Sequence, residues 1–349
     1  MKKKFEAIFS QFAHCFSGAC LVSDETGVLF SAASGLANRD HNIPNTMDTL
    51  FDTASVTKLF TAAAIIKLAE QGLLRLDDRI AKIIDLSGTK MPPDITIEQL
   101  LNHTSGIADD ADEQAGEEYS ALFVDKPNYA IRNCIDFLPQ FAYKQPNFKA
   151  GTDVRYNNCA FVLLGLVLEA LTETDYRTFV AEHIFKPCGM EHTRFYAKDE
   201  VCLNAAEGYF AVTGEDGSLV KWKKNIYSYP PIGTPDGGAY TTVGDLELFV
   251  RAIRDGKLLS KEYSDMLMTP HCRFTRQTRY GTWRTGYGFE FIESDGCIFC
   301  MYKEGVNPGV DAICAYYPEL GISINILSNQ NGPLWEMHRK MQDLLFEVG

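Results

Sequence analysis

The sequence is poor in basic residues. Its 349 residues include 33 lysine and arginine residues against 46 aspartate and glutamate residues, which gives a net charge of −13. No basic cluster is longer than the three lysines that follow the first methionine. A partner such as nucleic acid or an anionic membrane surface requires a basic patch on the protein. The composition therefore argues against both kinds of partner.

Long hydrophobic runs are missing as well. No stretch of 18 apolar residues occurs, so the sequence predicts no membrane span. Near the N-terminus, Glu6, Gln11 and His14 interrupt the apolar segment that a signal peptide requires. The apolar residues there recur at helical spacing and predict an amphipathic first helix: Phe5, Ile8, Phe9, Phe12 and Phe16. We expect a cytoplasmic protein, unless a leader has been removed.

The ten cysteines lack the spacing of a disulfide framework or of a zinc site. Cys297 and Cys300 form a C-x-x-C pair inside a strand-like run, where alternation would send their side chains to opposite faces. We therefore expect reduced thiols, no metal and no cofactor.

Segments typical of β-strands stand at both ends of the chain. Two surround the turn at residues 25–27, and three more precede a final helix that starts near Pro333. Their short connections imply antiparallel pairing. The sequence predicts an α+β fold, with an antiparallel sheet of about five or more strands covered by the terminal helices. We expect one unit over 1–349, with an α/β lobe at about 1–50 and 285–349 and a helical lobe at about 51–284.

A serine and a lysine stand at the start of a predicted helix that ends near Gly72. Ser55 and Lys58 are three residues apart and share one helix face. Residues 59–66 are apolar nearly all round, which is typical of a buried helix. Burial would lower the pKa of Lys58 and allow its amine to activate Ser55. The alternative is an ordinary surface lysine.

Two further motifs could complete a site. Tyr156 and Asn158 lie two apart before an apolar helix and can face one cleft, although Asn158 could instead be the N-cap of that helix. Lys303 ends a predicted strand and is followed by Gly305, which would let a substrate approach the backbone. Lys149 begins another K-x-G motif, but the sequence does not predict a strand there.

The segment 109–118, DDADEQAGEE, holds six acidic residues and no basic residue. A run of like charge is usually a solvated surface loop. The other interpretation, an acidic wall beside a cleft, stays open.

Taken together, these motifs resemble a known superfamily. S-x-x-K at Ser55, Y-x-N at Tyr156 and K-x-G at Lys303 occur in the order found in serine β-lactamases and penicillin-binding proteins. The tyrosine motif and the phrases LLNHTSGI and GGAYTTVGDLELF resemble the class C branch. That branch includes class C β-lactamases, D-alanyl-D-alanine carboxypeptidases, D-aminopeptidases and esterases. The resemblance covers nearly the whole chain and implies a β-lactamase/transpeptidase-like fold.

The resemblance also implies catalytic roles. Ser55 would be the nucleophile that forms an acyl-enzyme, Lys58 its proton-transfer partner and Tyr156 the general base. The backbone N–H groups of Ser55 and Val306 would form an oxyanion hole, which stabilises negative charge in acyl transfer.

Substrate binding is implied at the other two motif positions. Asn158 would hydrogen-bond the lysine and the substrate amide, and Lys303 would orient the tyrosine and bind anionic substrates. Members of the superfamily that act on β-lactams usually carry a hydroxyl residue where this chain has Glu304. A carboxylate there would repel the carboxylate of such substrates. We therefore expect an ester or amide without a free carboxylate near the site.

These observations favour a serine hydrolase that acts through a Ser55 acyl-enzyme on a small ester, amide or peptide. Two alternatives stay open: a true class C-type β-lactamase or D-Ala-D-Ala carboxypeptidase, and a non-catalytic sensor that binds penicillin or peptide. A cysteine- or metal-dependent hydrolase is disfavoured because the sequence has no histidine–cysteine cluster. The sequence does not determine the oligomeric state.

Overall fold

The computed structural model describes residues 1–347, and an eight-stranded antiparallel sheet lies at its centre. The strands of the described residues are β1 (Gly18–Asp24), β2 (Gly27–Ser34), β3 (Leu36–Asn38), β4 (Ile43–Pro44), β5 (Phe51–Asp52), β6 (Tyr209–Thr213), β7 (Leu219–Lys224), β8 (Tyr240–Thr241), β9 (Arg276–Thr278), β10 (Gly281–Thr285), β11 (Glu290–Ser294), β12 (Cys297–Asn307), β13 (Val310–Tyr317) and β14 (Ile322–Ser328). The central sheet runs in the order β2-β1-β14-β13-β12-β11-β10-β9. The N-terminal hairpin thus pairs with the last strand.

Helices cover both faces of this sheet. They are α1 (Lys2–Phe12), α2 (Lys58–Glu70), α3 (Ile97–Leu101), α4 (Leu138–Phe141), α5 (Asn158–Thr172), α6 (Tyr176–Val180), α7 (Lys186–Cys188), α8 (Val243–Arg254), α9 (Lys261–Leu267) and α10 (Pro333–Phe346). Short 3₁₀ turns connect several of them, and a π-helical turn spans Ala181–Phe185. The part of the chain that the structure describes contains no helix long and apolar enough to cross a membrane.

The terminal helices α1 and α10 pack on one face of the sheet. Phe5 of α1 and Leu345 of α10 are fully buried there. From the sheet, Ile313 of β13 and Ile324 of β14 point into the same core. Phe16, predicted as part of the first helix, lies beyond its end but joins this core.

The opposite face of the sheet packs against the internal helices. Side chains alternate along β13, so Ala312 and Cys314 face the second core while Ile313 faces the first. All eight residues of β13 are buried, as expected for a strand covered on both faces. Helix α2 lies within the second core, since its residues from Lys58 to Ile66 are all buried. This rigid setting holds the segment that precedes α2.

The predicted fold class is confirmed, and the strands read from both chain ends all pair in one sheet. Strands β9 and β10 extend that sheet, although most of their residues fall in the segment predicted to be helical. Cys297 is exposed and Cys300 is buried, and a bulge at Phe299 in the pairing of β11 with β12 interrupts the alternation from which opposite faces were predicted. The predicted lobe boundaries stay a prediction.

Candidate active site

Ser55 lies in a strained turn between β5 and α2. The turn is a 3₁₀ helix over Ala54–Thr57 that leads directly into α2. Ala54 has φ 42°, a left-handed conformation that costs a non-glycine residue energy. The Asp52 Oδ1 carboxylate oxygen accepts a hydrogen bond from Ala54 N at 2.7 Å and holds this conformation. The chain therefore fixes the position of the residue that precedes the serine.

Lys58 is fully buried beside this turn. Its ammonium nitrogen lies 3.1 Å from Ser55 Oγ, 2.8 Å from Asn158 Oδ1 and 2.6 Å from the Asp236 carbonyl oxygen. Burial lowers the pKa of Lys58 to about 8, because the charged form loses its water. The nearby charge of Asp236 opposes this shift, and that of Lys303 adds to it. The amine is therefore neutral in a substantial fraction of molecules at mildly alkaline pH.

Tyr156 contacts the same serine from the other side. Its hydroxyl donates a hydrogen bond to Ser55 Oγ at 2.7 Å. Its ring centroid lies 4.9 Å from Lys58 Nζ and 4.6 Å from Lys303 Nζ. Burial raises the pKa of Tyr156 well above its ordinary value, since an isolated phenolate would be poorly solvated there. The phenol therefore keeps its proton over the ordinary pH range.

Asn158 is the first residue of α5, and the cap of that helix is its neighbour. Asn157 Oδ1 accepts a hydrogen bond from Ala160 N at 2.6 Å, so the alternative prediction of Asn158 as the N-cap is wrong. The Asp109 carboxylate accepts hydrogen bonds from the backbone N–H groups of Asn158 and Cys159, both at 2.9 Å. These contacts leave the Asn158 side chain available to Lys58.

Lys303 is buried in β12 and pairs with a carboxylate that no sequence motif predicted. Glu290 in β11 accepts hydrogen bonds from Lys303 Nζ at 2.9 Å and from Trp283 Nε1 at 2.8 Å. Burial alone would raise the pKa of Glu290, but the charge of Lys303, together with hydrogen bonds from Lys303, Trp283 and Tyr302, outweighs burial and lowers the pKa. The family resemblance implies that Lys303 binds substrate anions, but Glu290 on the adjacent strand already neutralises its charge.

Strand β12 approaches the serine turn closely at Gly305. A Cβ atom at this position would lie 2.2 Å from the Thr53 carbonyl oxygen and 3.1 Å from Ser55 N. Only glycine permits this distance, so the K-x-G motif serves the packing of strand against turn. Val306 follows on β12, with an exposed side chain that borders the space around Ser55.

The acidic segment 109–118 lies against the site along part of its length. Asp109 and Asp110 are buried, Asp112 pairs with Arg155, and Glu113 borders the space around Ser55. Glu113 fits the interpretation as an acidic wall beside a cleft, although residues 113–118 are exposed, as the solvated-loop interpretation predicts.

Asp109, Asp110 and Cys159 bring their ligand atoms within 4.8 Å of one another and are all buried. The Asp109 carboxylate oxygens already accept two backbone N–H groups of α5. These bonds explain why Asp109 is buried at the N-terminus of α5, where it supports the end of the helix.

Two cavities of unequal size meet at Ser55. The larger has a volume of about 440 Å³ and is bordered by Tyr156, Trp283 and Glu304 among others. The smaller has about 30 Å³ and lies on the side of Asn158. Loss of solvent on the cavity wall, together with the charge of Glu290, raises the pKa of Glu304 to about 7.

The structure brings the predicted site residues together around one hydroxyl. Ser55, Lys58, Tyr156 and Asn158 form a hydrogen-bonded group, and Lys303 lies over the Tyr156 ring. Lys149 borders neither of the two cavities at Ser55. The residues that were missed, Asp236 and Glu290, act through a backbone carbonyl and a cross-strand pair, and neither stands in a recognisable motif.

The central sheet and the hydrogen-bonded serine, lysine and tyrosine define a serine β-lactamase-like class of protein. Comparison with known proteins agrees with this class. The chain belongs to the beta-lactamase family, whose model matches residues 5–345. The resemblance drawn from the motifs is therefore confirmed, and family membership supports serine hydrolase activity in general.

Individual relatives are penicillin-binding proteins. The chain is 25% identical over 343 residues to penicillin-binding protein 4 of Amycolatopsis lactamdurans, a match that covers 94% of this chain and 84% of that protein. It is 28% identical to penicillin-binding protein 4* of Bacillus subtilis strain 168, over 94% and 72% of the two chains. The crystal structure of a penicillin-binding protein from Bacillus halodurans matches with a TM-score of 0.89 and 34% identity, over 97% and 99% of the chains.

Proposed function

We propose that the protein is a serine hydrolase that forms an acyl-enzyme on Ser55. The observation that carries this proposal is the double contact on Ser55 Oγ, at 2.7 Å from the Tyr156 hydroxyl and 3.1 Å from the Lys58 nitrogen. A hydroxyl held between a base and an acid is the arrangement that nucleophilic catalysis requires. The substrate is a small ester, amide or peptide.

The contacts of Lys58 support its role as the base. A neutral amine has two N–H groups and one lone pair, whereas the Asn158 and Asp236 oxygens can only accept. These two carbonyl oxygens, at 2.8 Å and 2.6 Å, take both N–H groups. The lone pair is then directed at Ser55. The pKa of Lys58, about 8, makes this neutral form accessible.

Tyr156 then acts mainly as the acid. The family resemblance implies a general base at this position, but the raised pKa of the phenol favours its protonated form. As Ser55 Oγ bonds to the substrate carbonyl carbon, its proton passes to Lys58. The bond to the leaving atom breaks with its electron pair, and that atom takes the Tyr156 proton. The Lys58 proton restores the phenol, and water later releases the acid by the reverse sequence.

The charges near Lys303 support a substrate without a free carboxylate in this region. Glu290 neutralises Lys303, and Glu304 lies on the wall of the same cavity. Above its pKa of about 7, Glu304 carries a negative charge that repels a substrate carboxylate. We therefore propose that β-lactams and D-Ala-D-Ala peptides are poor substrates. The names of the curated relatives favour the alternative, a penicillin-binding enzyme.

The site residues also support one catalytic unit over residues 1–349. Ser55 and Lys58 belong to the proposed helical lobe at about 51–284, whereas Lys303 belongs to the α/β lobe at about 1–50 and 285–349. A site built from both would require both lobes. The cytoplasmic location stays a prediction.

Mass spectrometry after brief exposure to p-nitrophenyl acetate tests the proposal. We expect an acetyl group on Ser55, steady release of p-nitrophenol, and neither in Ser55→Ala. A folded protein that stays unmodified would contradict the proposal and support a non-catalytic sensor.

The same experiment with nitrocefin tests the substrate class. We expect slow turnover in the natural protein and an increase of about tenfold in Glu304→Thr, which removes one repulsive charge near the site. Glu215→Thr, an exposed carboxylate in the β6–β7 turn, is the control. Rapid nitrocefin turnover that Glu304→Thr leaves unchanged would favour a true β-lactamase.

A further inference from the structure

The two cavities at Ser55 differ more than tenfold in volume, about 30 Å³ against about 440 Å³. We propose that the substrate has a short acyl group, of acetyl to propionyl size, which occupies the smaller cavity, and a large leaving group, which occupies the larger one. This inference rests on the proposed function and names the substrate class of the same site.

The position of Tyr156 determines which cavity receives which part of the substrate. The leaving atom must lie within reach of the acid that protonates it as its bond to the carbonyl carbon breaks. Tyr156 borders the larger cavity and does not border the smaller one. The leaving group therefore enters the larger cavity, and the acyl chain extends from the carbonyl carbon towards Asn158.

The volume of the smaller cavity limits the acyl chain. A cavity holds one water molecule for about 10–15 Å³ of this measure, so about 30 Å³ accommodates two waters or one or two carbon atoms. The acylamino side chain of a β-lactam or the body of a peptide would not fit. This size limit disfavours β-lactams independently of the charge of Glu304.

One wall of the smaller cavity cannot move outward without breaking hydrogen bonds. It is formed by residues 229–238, which hydrogen bonds hold on both sides. The Tyr229 carbonyl oxygen accepts from Asn128 Nδ2 at 2.7 Å, and the Tyr229 hydroxyl accepts from Asn225 Nδ2 at 2.7 Å. The Pro231 carbonyl oxygen accepts from Lys198 N at 2.7 Å. Expansion of this wall would break such bonds in a buried region, at a cost for each.

The far end of the smaller cavity is polar. Asp52 is 5% exposed, and its Oδ2 atom has no hydrogen-bond partner within residues 1–347. Lys198 borders the same cavity, with its ammonium nitrogen 3.5 Å from the centroid of the Tyr229 ring. A longer alkyl chain would have to displace water from these two groups, which is unfavourable without replacement hydrogen bonds. The small volume of this cavity and its polar far end thus both exclude long acyl groups.

A less constrained part of the cavity lining offers a place to test the limit. Tyr119, in the 3₁₀ helix Tyr119–Phe123, borders the smaller cavity and stacks edge-on with Phe123 at 5.5 Å. It is half-buried in a surface connection, so its removal should open the cavity without unfolding the chain. Tyr129 lies on the same connection, is 65% exposed and borders neither cavity, which makes it a matched control.

The experiment compares kcat/KM for p-nitrophenyl acetate, butyrate and octanoate. We expect a fall of at least about tenfold from acetate to butyrate and a further fall to octanoate, because overpacking a rigid cavity is destabilising. With the acetyl group held constant, naphthyl and phenyl esters of matched leaving-group acidity should react within about threefold of each other. Tyr119→Ala should raise the butyrate-to-acetate ratio at least about fivefold, and Tyr129→Ala should leave it unchanged.

Acetylation of Ser55 separates this inference from the proposed function. If Ser55 is acetylated but octanoate reacts as fast as acetate, the size limit is wrong and the hydrolase stands. If long acyl groups react well and naphthyl esters poorly, the two cavities have the reverse roles. If Ser55 is never acylated by any ester, the proposed function itself fails.

Discussion

At the residue scale, the reactivity proposed for the site depends on the burial of one lysine, which lowers its pKa. Lys58 is fully buried and surrounded by acceptors, whereas Lys67 on the same helix is half-buried and donates to the Leu258 carbonyl oxygen. This difference was predictable, because the apolar run after Lys58 indicates a helix with no solvent-facing side. Glu290 and Asp236 were not predictable, since their contacts depend on strand register and on a turn that brings a carbonyl inward.

Activity should follow the protonation state of Lys58. Its pKa is lowered from 10.5 to about 8, so raising the pH through 8 produces the neutral amine that accepts the serine proton. We expect kcat/KM for a neutral ester to rise about tenfold per pH unit below 8 and to level off above it.

Two variants check this assignment. Lys58→Met should lose about 10²–10⁴-fold in kcat. Lys67→Met should keep both the rate and the pH profile. A rate that is already constant from pH 6 upward in the natural protein would assign the proton transfer to another group.

At the element scale, the site depends on the contact between β12 and the turn before α2. The sequence predicted the strand, the helix and the glycine, because each has a local signature. It did not predict that Gly305 lies against Thr53 and Ser55, since this contact joins segments about 250 residues apart. The acidic segment was ambiguous for the same reason. A run of acidic residues is compatible with a solvated loop and with a cleft wall, and the sequence does not show that Asp109 lies beside α5.

Gly305→Ala should damage catalysis more than stability. The new methyl group would lie 2.2 Å from the Thr53 carbonyl oxygen, so β12 must move away from the turn. Displacing the proposed oxyanion donor Val306 N should lower kcat about 10²–10³-fold, with a loss of about 1–3 kcal/mol in unfolding free energy. Gly244→Ala is the control, because its nearest contact would be Thr242 Oγ1 at 3.6 Å. Unchanged kcat in Gly305→Ala would show that the close approach is not needed.

At the scale of the whole molecule, the two chain ends build one sheet that carries part of the site. Strand β1 pairs with β14 on one side and with β2 on the other. Alternation and short connections were enough to predict one antiparallel sheet from both chain ends, but not the pairing of β1 with β14. They could not predict the eight-strand order, because β9 is short, polar and exposed and β10 is only partly buried, so both lack the apolar pattern of the central strands.

Because α1 covers the sheet that carries Lys303, the first helix should stabilise a distant site. Phe5 is fully buried between the terminal helices and the sheet, so Phe5→Ala should lower the unfolding free energy by about 3–5 kcal/mol. Phe346→Ala, at 41% exposure in the last helix, should cost about 1 kcal/mol. Urea titrations followed by circular dichroism and by esterase activity should give coincident midpoints for each protein, since one sheet joins both ends to the site. Activity that survives after the circular dichroism transition in Phe5→Ala would show that the site does not require the terminal layer.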